Sequence, residues 1–313
     1  MPQFINAQDI SSIAQLIELA QTIKVNREDY AFSGDGKTLI NLFFNPSLRT
    51  RISTEKAGKL LGMDVITMDA SKGWKIEFAD GAIMDMDSAE HIREAAGVLS
   101  QYADVLAVRS FPSLTDREAD YADQVMNAFV KYATVPVISL ESAIRHPLQS
   151  LADCITIAEH SPRPRPKVVL TWAPHPKKLP QAVANSFAEW MRNWGEVDLV
   201  IANPQGMDLA PMFTRDLPIF HDQDEALVGA DFVYAKNWSS YFDYGATVDL
   251  PDWQITPQKL ALTNNAQFMH CLPVRRNVVV ADAVLDSNRS LVLQQANNRT
   301  WAATAVLQEL LNG

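Results

Sequence analysis

Residues 43–51 combine an apolar run with hydroxyl and arginine side chains in an order that suits phosphate binding. The segment reads F-F-N-P-S-L-R-T-R. A helix that begins here would direct free backbone N–H groups, the positive end of its dipole and two guanidinium groups towards one point. The alternative is an ordinary capped helix start with surface arginines. There is no glycine-rich phosphate loop, so the segment is not a nucleotide P-loop.

A second candidate segment, residues 145–153, reads R-H-P-L-Q-S-L-A-D and follows an apolar run. His146 and Gln149 are three residues apart, so on a helix they share a face and can hydrogen-bond a carbonyl or amide group together. The alternative is that His146 caps the helix or packs against it.

The third candidate segment, residues 269–276, reads M-H-C-L-P-V-R-R and also follows an apolar run. A thiol therefore stands at the carboxyl end of a predicted strand. Cys271 with His270 could form a nucleophile and base, but adjacent residues on a strand point to opposite faces. Covalent cysteine chemistry is therefore disfavoured.

The elements that must position these segments alternate between strand and helix. In the first half, the pattern predicts strands at 38–44, 64–68, 105–109 and 135–139 and helices at 10–23 and 51–61. In the second half, it predicts strands at 168–172, 197–203, 232–235 and 267–270 and a closing helix at 301–311. The P-R-P-R-P run at 162–166 is extended and precedes the first of these strands. This rhythm is typical of parallel sheets with crossover helices.

A chain of 313 residues fits two domains of about 150 residues each. We expect an α/β protein with two domains, each a parallel sheet flanked by helices, and an active site in the interdomain cleft at the carboxyl ends of the strands. The predicted first domain is residues 1–148, joined by a C-terminal helix at about 297–313. The predicted second domain is residues 149–296.

Composition excludes several classes of function. The formal charge of −10 argues against nucleic acid as a partner, because backbone phosphates require a basic face. No apolar run approaches the roughly 20 residues that span a bilayer, and the first residues contain no export leader, so we expect a cytoplasmic protein without a membrane partner. Cys154 and Cys271 are the only cysteines, so neither a disulfide framework nor a metal-type cysteine spacing is predicted.

Taken together, the three segments resemble the aspartate/ornithine transcarbamylase family over essentially the whole chain. The matching elements are S-T-R-T-R (here S-L-R-T-R), H-P-x-Q-x-L-x-D and the ornithine-type H-C-L-P. The resemblance implies that the first domain binds carbamoyl phosphate and the second binds an amino acceptor. It implies no metal and no cofactor.

Departures from the ornithine pattern point to a different acceptor. Where ornithine enzymes carry an S-M-G loop for the free α-amino acid, residues 235–238 read A-K-N-W. The segments S-K-G-W (71–74), T-W-A-P-H-P (171–176) and A-N-S-F-A-E-W (184–190) resemble the branch that carbamylates N-acylornithine. Acylation removes the α-ammonium charge and keeps the carboxylate, which suits His175, Lys236 and Arg275. The alternative for Lys236 is surface charge.

The resemblance also implies roles for single residues. Arg109 would bridge the phosphate and the carbamoyl oxygen, and with His146 it would stabilise the developing oxyanion. Gln149 and the carbonyls of Cys271 and Leu272 would hold the carbamoyl amide, while Arg299 would close on carbamoyl phosphate. The expected catalytic residues are Arg49, Arg109, His146 and Cys271, and the full carbamoyl phosphate set is Ser47, Leu48, Arg49, Thr50, Trp74, Arg109, His146, Gln149, Cys271, Leu272 and Arg299.

The expected acceptor set is Ala89, Glu141, His175, Lys236 and Arg275. Glu141 would pair with the δ-ammonium group or, alternatively, act as a helix cap. By the same resemblance Trp74 would reach the active site of a neighbouring subunit in a homotrimer. The alternative is a Trp74 side chain folded onto its own domain.

The acyl group depends on Ala89, because acetyl-type enzymes carry an acid there and succinyl-type enzymes a proline. A small neutral residue leaves room for a second carboxylate, so we favour N-succinylornithine over N-acetylornithine. Free ornithine or putrescine as acceptor, and a non-catalytic phosphate-binding relative, are the remaining alternatives.

Overall fold

The computed structural model describes residues 2–70 and 74–312, so Ser71, Lys72 and Gly73 of the predicted S-K-G-W segment lie outside the described residues. The chain divides into two compact units. Unit 1 consists of Met1–Ser113, Glu118–Leu148 and Arg299–Gly313, and unit 2 consists of Leu114–Arg117 and Gln149–Asn298. No sequence pattern indicated that the short segment Leu114–Arg117 belongs with unit 2.

The first half of the chain alternates between short strands and helices. Its strands are β1 (Gln3–Phe4), β2 (Thr38–Phe43), β3 (Asp64–Asp69), β4 (Ile76–Glu77), β5 (Glu90–His91), β6 (Val105–Arg109) and β7 (Val137–Glu141). Its helices are α1 (Ile13–Val25), α2 (Leu48–Leu60), α3 (Ile92–Tyr102), α4 (Arg117–Tyr121), α5 (Gln124–Tyr132) and α6 (Pro147–His160).

The second half repeats this alternation. Its strands are β8 (Lys167–Trp172), β9 (Asp198–Ala202), β10 (Ile219–Phe220), β11 (Phe232–Lys236) and β12 (Gln267–Met269). Its helices are α7 (Ala182–Trp194), α8 (Pro211–Thr214), α9 (Gln223–Leu227), α10 (Pro257–Leu260), α11 (Asp282–Leu285) and α12 (Val292–Asn312). Short 3-10 helices lie at Ala7–Asp9, Arg27–Tyr30 and Pro251–Trp253.

The main sheet of unit 1 has the order β1-β7-β6-β2-β3, and every pairing in it is parallel. Its central strands β6 and β7 are buried along their whole length, which explains their continuous apolar runs. Along the chain, β3 is added on one side of β2 and β6 on the other. The order in which strands are added to the sheet therefore reverses between β2 and β6. In open parallel sheets, ligands bind at such a point, at the carboxyl ends of the strands.

The sheet of unit 2 has the order β10-β9-β8-β11-β12 and is also parallel throughout. Strands β9 and β10 extend to one side of β8, and β11 and β12 extend to the other. The reversal therefore falls between β8 and β11. A core cluster that includes Val169, Val233 and Phe268 packs this sheet.

The predicted fold class of two α/β domains with parallel sheets and flanking helices is confirmed. The predicted strand at 105–109 matches β6, and the other large strands differ from their predictions by two residues or fewer at each end. The helix predicted at 301–311 is longer, because α12 begins at Val292. In the part of the chain that the structure describes, no helix combines the length and apolarity required to cross a membrane.

Candidate active site

Helix α2 begins at Leu48, within the phosphate-type segment and three residues earlier than the predicted start at residue 51. Ser47 is its N-cap, and the Ser47 hydroxyl accepts a hydrogen bond from the Thr50 backbone N–H at 3.3 Å. Leu48 opens the helix with a side chain that is 68% exposed, so its useful group is the backbone N–H. The first turn of α2 therefore presents the donors and the positive dipole end that an anion requires.

The two arginines of this segment point to different places, which corrects the expectation that both surround one anion. Arg51 forms an i,i+4 ion pair with Glu55 at 3.0 Å, and its side chain is about half exposed. Arg49 instead acts on the buried His146, whose pKa its charge lowers. Only Arg49 of the pair belongs to the candidate site.

Arg109 and Glu141 meet at the carboxyl ends of β6 and β7. A register shift between Val108 and Arg109 brings Arg109 opposite Glu141 in the ladder. Arg109 Nη1 lies 2.5 Å from Glu141 Oε2, and both residues are only 6% exposed. The carboxylate of Glu141, expected on the acceptor side or as a helix cap, is thus paired with an arginine of unit 1; its role towards the acceptor stays a prediction.

Thr50, Arg299 and His146 complete this group of unit 1. The Thr50 hydroxyl accepts from Arg109 Nη1 at 3.2 Å and from Arg299 Nη2 at 2.6 Å. Arg299 Nη2 is also 3.4 Å from His146 Nε2. We name the whole group the guanidinium cluster: Arg49, Thr50, Arg109, Glu141, His146 and Arg299.

The charges of the guanidinium cluster suit a phosphate dianion. Burial lowers the pKa of His146 well below its ordinary value, and the charges of Arg299, Arg109 and Arg49 lower it further. His146 is therefore neutral at pH 7 and retains one ring N–H donor. Three guanidinium groups and one carboxylate then leave a net charge of +2. This charge balances that of a phosphate dianion, such as the phosphate group of a phosphoric anhydride or ester.

The depressed pKa of His146 predicts a loss of stability in acid. Below an ordinary histidine pKa of 6.5, the unfolded chain binds a proton at His146 that the folded chain excludes. The free energy of unfolding should therefore fall with pH below 6.5, by about 1.4 kcal/mol per pH unit from this residue. When the free energy of unfolding is measured with urea between pH 7 and pH 5, it should depend less steeply on pH in His146→Gln than in the wild type. His160→Gln, at an exposed position on α6, is the control, and an equal change in its slope would contradict the assignment.

In unit 2, the groups expected to hold an amide lie at the start of α6 and after β12. Gln149 lies in the first turn of α6 and is buried, and its Nε2 donates to Asp153 Oδ1 at 2.7 Å. Cys271 and Leu272 follow β12 and are half-buried. The Leu272 N–H donates to His270 Nδ1 at 2.9 Å. His270 thus accepts a hydrogen bond from the backbone of the turn through its Nδ1 atom.

The three cations or donors expected in unit 2 lie near one another: His175 follows β8, Lys236 ends β11 and Arg275 follows β12. Lys236 ends β11 and is buried, with its Nζ donating to the Asn237 carbonyl at 2.9 Å. Burial lowers the pKa of His175, and the charges of Lys236 and Arg275 lower it further. His175 and Lys236 flank the reversal point of the second sheet, and the Arg275 charge acts on His175, so a ligand carboxylate here would find two positive charges and a neutral imidazole.

Trp74 and Ala89 lie just before the two strands of one small parallel ladder of unit 1. Ile76 on β4 pairs with Glu90 on β5, and the Ala89 N–H donates to the Lys75 carbonyl at 2.8 Å. Trp74 is half-buried against its own unit, and its Nε1 donates to Glu90 Oε2 at 2.9 Å. In the single chain, Trp74 is therefore less exposed than expected. Ala89 is exposed beside it.

Sequence reasoning missed several residues around these groups. Phe111 places its ring under the Arg109 guanidinium at 4.5 Å, a cation–π contact that fixes the arginine. An aromatic residue two positions after a strand-end arginine was the available signal. Asp153, Tyr234 and Gln295 surround Gln149 and Cys271 in unit 2, and only the H-P-x-Q-x-L-x-D match pointed to one of them.

Residues 2–70 and 74–312 contain no candidate metal site. Among these residues, no group of three or more His, Cys, Asp and Glu side chains is arranged to hold a metal ion. The polar groups at the reversal points are instead guanidinium, ammonium, amide and imidazole groups.

Comparison with known proteins identifies the family of the chain. Residues 3–159 match the carbamoyl-P binding domain of aspartate/ornithine carbamoyltransferase, and residues 181–310 match its Asp/Orn binding domain. Both matched domains are those of a carbamoyl-transferring enzyme. The chain belongs to the aspartate/ornithine carbamoyltransferase family.

Several similar proteins belong to the N-acylornithine branch of the family. The N-succinylornithine carbamoyltransferase of Bacteroides thetaiotaomicron is 48% identical over 317 residues, which cover 100% of this chain and 99% of the relative. The N-acetylornithine carbamoyltransferase of Xanthomonas campestris pv. campestris is 38% identical and is covered to 98%, with 99% of this chain aligned. A crystal structure of a mutant N-acetyl-L-ornithine transcarbamylase complexed with carbamyl phosphate and N-succinyl-L-norvaline matches with a TM-score of 0.93 and 38% identity, covering 99% of this chain and 100% of the other.

Proposed function

We propose that this enzyme transfers the carbamoyl group of carbamoyl phosphate to the δ-amine of N-succinyl-L-ornithine, giving N-succinyl-L-citrulline and phosphate in arginine biosynthesis. The observation that carries the acceptor class is Lys236, a buried cation at the end of β11 with His175 and Arg275 nearby. The ammonium group of Lys236 can pair with the α-carboxylate of the acceptor, whose α-amine has lost its positive charge by acylation.

Carbamoyl phosphate is held in this proposal by the guanidinium cluster and the first turn of α2. The phosphate accepts hydrogen bonds from the backbone N–H groups of Leu48 and Thr50. The charges of Arg49 and Arg299 attract it, and the Ser47 hydroxyl lies at the same helix start. Arg109 bridges the phosphate and the carbamoyl oxygen, and the neutral His146 donates to that oxygen. Gln149 and the Cys271 and Leu272 carbonyls receive the carbamoyl NH₂ group. Trp74 completes the set.

The reaction requires no protein nucleophile. The uncharged δ-amine attacks the carbamoyl carbon, the new C–N bond forms, and the C–O bond to phosphate breaks. The phosphate leaves with the electron pair and takes the proton released by the amine. Arg49, Arg109 and His146 lower the barrier by stabilising the oxyanion and the departing phosphate, and Cys271 contributes by orienting the amide. Glu141 attracts the δ-ammonium group before it is deprotonated.

The acyl preference rests on Ala89. A relative's mutant in which one glutamate is replaced by alanine was crystallised with N-succinyl-L-norvaline, which supports the idea that a small neutral residue admits the longer diacid. The 48% identity to an N-succinylornithine carbamoyltransferase points the same way. N-acetyl-L-ornithine is the second candidate, because the chain is also 38% identical to N-acetylornithine carbamoyltransferase.

A steady-state comparison of three acceptors tests the proposal. With carbamoyl phosphate in excess, a colour assay for the citrulline ureido group should give the highest kcat/KM with N-succinyl-L-ornithine. N-acetyl-L-ornithine should follow, and free ornithine should be nearly inactive. A higher kcat/KM for N-acetyl-L-ornithine would move the assignment to the second candidate, and preference for free ornithine would reject the branch.

Replacing Ala89 with glutamate should shift the acceptor preference. A carboxylate there repels the second carboxylate of the succinyl group, an effect of about 1.4 kcal/mol at an exposed position. The ratio of kcat/KM for N-succinyl over N-acetyl acceptor should fall by about tenfold. Ala89→Gln, of similar size and no charge, separates repulsion from bulk, and an equal loss with both variants would contradict the charge argument.

We further propose a homotrimer in the cytoplasm, in which Trp74 reaches a neighbouring subunit's carbamoyl phosphate site. The support is the resemblance of the S-K-G-W segment to the N-acylornithine branch, and the absence of a disulfide at Cys154 and Cys271 suits a reducing compartment. In the single chain the Trp74 indole donates to Glu90 on a half-buried ladder, so reaching a neighbour requires that this bond be exchanged. Sedimentation measurements on the wild type and on Trp74→Ala, with activity recorded on the same samples, test the subunit claim. A monomeric wild type with full activity would reject it.

A further inference from the structure

A buried polar network in unit 2 is centred on Asp153. Asp153 and Gln149 lie on α6, and Gln295 lies on α12; all three side chains are buried. Gln149 Nε2 donates to Asp153 Oδ1 at 2.7 Å, and Gln295 Nε2 donates to the same oxygen at 2.6 Å. Both amides therefore have a set orientation, because their NH₂ groups face a carboxylate acceptor.

The network extends to the turn that follows β12. Gln295 Oε1 accepts from the His270 backbone N–H at 2.9 Å, and His270 Nδ1 accepts from the Leu272 N–H at 2.9 Å. A chain of hydrogen bonds thus runs from the Asp153 carboxylate through one glutamine to the Cys271–Leu272 turn. The same carboxylate binds Gln149 directly.

Tyr234 on β11 adds a third support. Burial raises the pKa of its phenol well above the ordinary value, and the neighbouring Asp153 and Cys271 side chains raise it further. The phenol is therefore protonated and lies beside both groups. Asp153 is thus linked by hydrogen bonds through Gln295 to the Cys271–Leu272 turn, and Tyr234 lies beside Asp153 and Cys271.

An amide side chain has a donor end and an acceptor end that are nearly equal in shape but opposite in polarity. With its NH₂ group on Asp153, Gln149 directs Oε1, an acceptor, away from the carboxylate. The carbamoyl group of carbamoyl phosphate presents an NH₂ donor, which this acceptor end can receive. If the Gln149 amide were reversed, its NH₂ group would face the carbamoyl NH₂ group of the ligand, and two donors would oppose each other.

We propose that Asp153 is a positioning residue that sets the polarity of Gln149 and supports the Cys271–Leu272 turn, so that unit 2 recognises the carbamoyl amide rather than the phosphate. This inference rests on the proposed function for the identity of the ligand. It concerns a residue that acts through Gln149 and contacts no substrate itself.

Asp153→Asn tests the proposal, because asparagine can offer an NH₂ group where the carboxylate only accepts. Titration calorimetry with phosphonoacetamide, a stable analogue with the same amide, should show about a tenfold loss of affinity. Affinity for inorganic phosphate, which lacks the amide, should stay the same. The ratio of the two dissociation constants is the decisive readout, because general damage to the fold lowers both affinities.

The double variant Gln149→Glu with Asp153→Asn should regain most of the lost affinity. The introduced carboxylate at position 149 accepts from the introduced amide at position 153 with one oxygen and from the ligand amide with the other, and the net charge equals that of the wild type. Asp231→Asn is the matched control: Asp231 is a buried carboxylate of unit 2 held by Arg163 at 2.7 Å and by Asn264 at 2.8 Å. It should lower Tm and leave both affinities unchanged.

Equal loss of phosphonoacetamide and phosphate binding in Asp153→Asn would overturn the inference. Failure of the double variant to regain affinity while its circular dichroism and Tm match those of Asp153→Asn would also overturn it. A wild type that binds phosphonoacetamide no tighter than phosphate would have the same consequence. A wild type that binds phosphonoacetamide selectively but carbamylates no acylornithine would instead reject the proposed function alone.

Discussion

Arg109→Met is expected to lower kcat by about 10² to 10³-fold, the usual effect of removing one oxyanion donor. Arg109 stands at the centre of the guanidinium cluster, with Thr50 at 3.2 Å, Glu141 at 2.5 Å and the Phe111 ring at 4.5 Å. Its guanidinium stabilises charge that develops only when the carbamoyl carbon is attacked. The measurement is kcat at saturating carbamoyl phosphate and acceptor.

A control must separate catalysis from stability, because Arg109→Met leaves the Glu141 carboxylate buried without its arginine. Breaking such a buried pair costs about 3 to 5 kcal/mol of stability. The double variant Arg109→Met with Glu141→Gln removes the uncompensated charge and should regain much of the Tm. Recovery of kcat along with Tm would show that the loss was one of folding. Arg51→Met, in the same motif but paired with Glu55, should retain activity.

Lys236→Met is expected to reduce kcat/KM for the acylornithine by about 10 to 100-fold, since a charge-assisted hydrogen bond contributes about 1.5 to 3 kcal/mol. KM for carbamoyl phosphate should stay near its wild-type value, because the guanidinium cluster belongs to unit 1. Methionine fills a similar volume, so the fold should persist. Initial rates with each substrate varied in turn measure the two effects separately.

The matched control for Lys236 is Lys167→Met. Lys167 begins β8, and its Nζ donates to the Val228 carbonyl at 2.8 Å. Lys236 ends the adjacent β11, so the two lysines lie at opposite ends of neighbouring parallel strands. If the two variants lose acceptor kcat/KM equally, Lys236 has no special part in binding the carboxylate.

The positions of the large strands were predictable because a strand buried on both faces must be an uninterrupted apolar run. Predicted and observed limits agree for β6, and β8 differs by one residue. The two-residue strands β1 and β10 escaped prediction, because runs this short carry no periodicity. The start of α2 at Leu48 was missed by three residues, although Ser47 is a favoured N-cap residue.

For the candidate site, the sequence indicated individual residues but did not indicate which side chains pair with one another. The S-L-R-T-R segment suggested two arginines around an anion, but the helix rotates Arg51 onto Glu55 and away from the cluster. Glu141 was assigned to the acceptor, and its observed partner Arg109 became visible only through the register shift between β6 and β7. Side-chain direction on a helix or at a strand end depends on the exact register, to which a sequence pattern of apolar residues is insensitive.

By itself, the amino-acid sequence determined the class of fold, the strand ends that carry polar residues and the likeness to carbamoyl-transferring enzymes. These depend on local periodicity and on short motifs. Only the tertiary structure decided that Arg299 meets Thr50, 249 residues earlier in the chain, and that Gln295 meets Asp153 from 142 residues away. Such contacts follow from the order of strands in each parallel sheet, which is set by the packing of crossover helices and leaves no mark on the residues of any single segment.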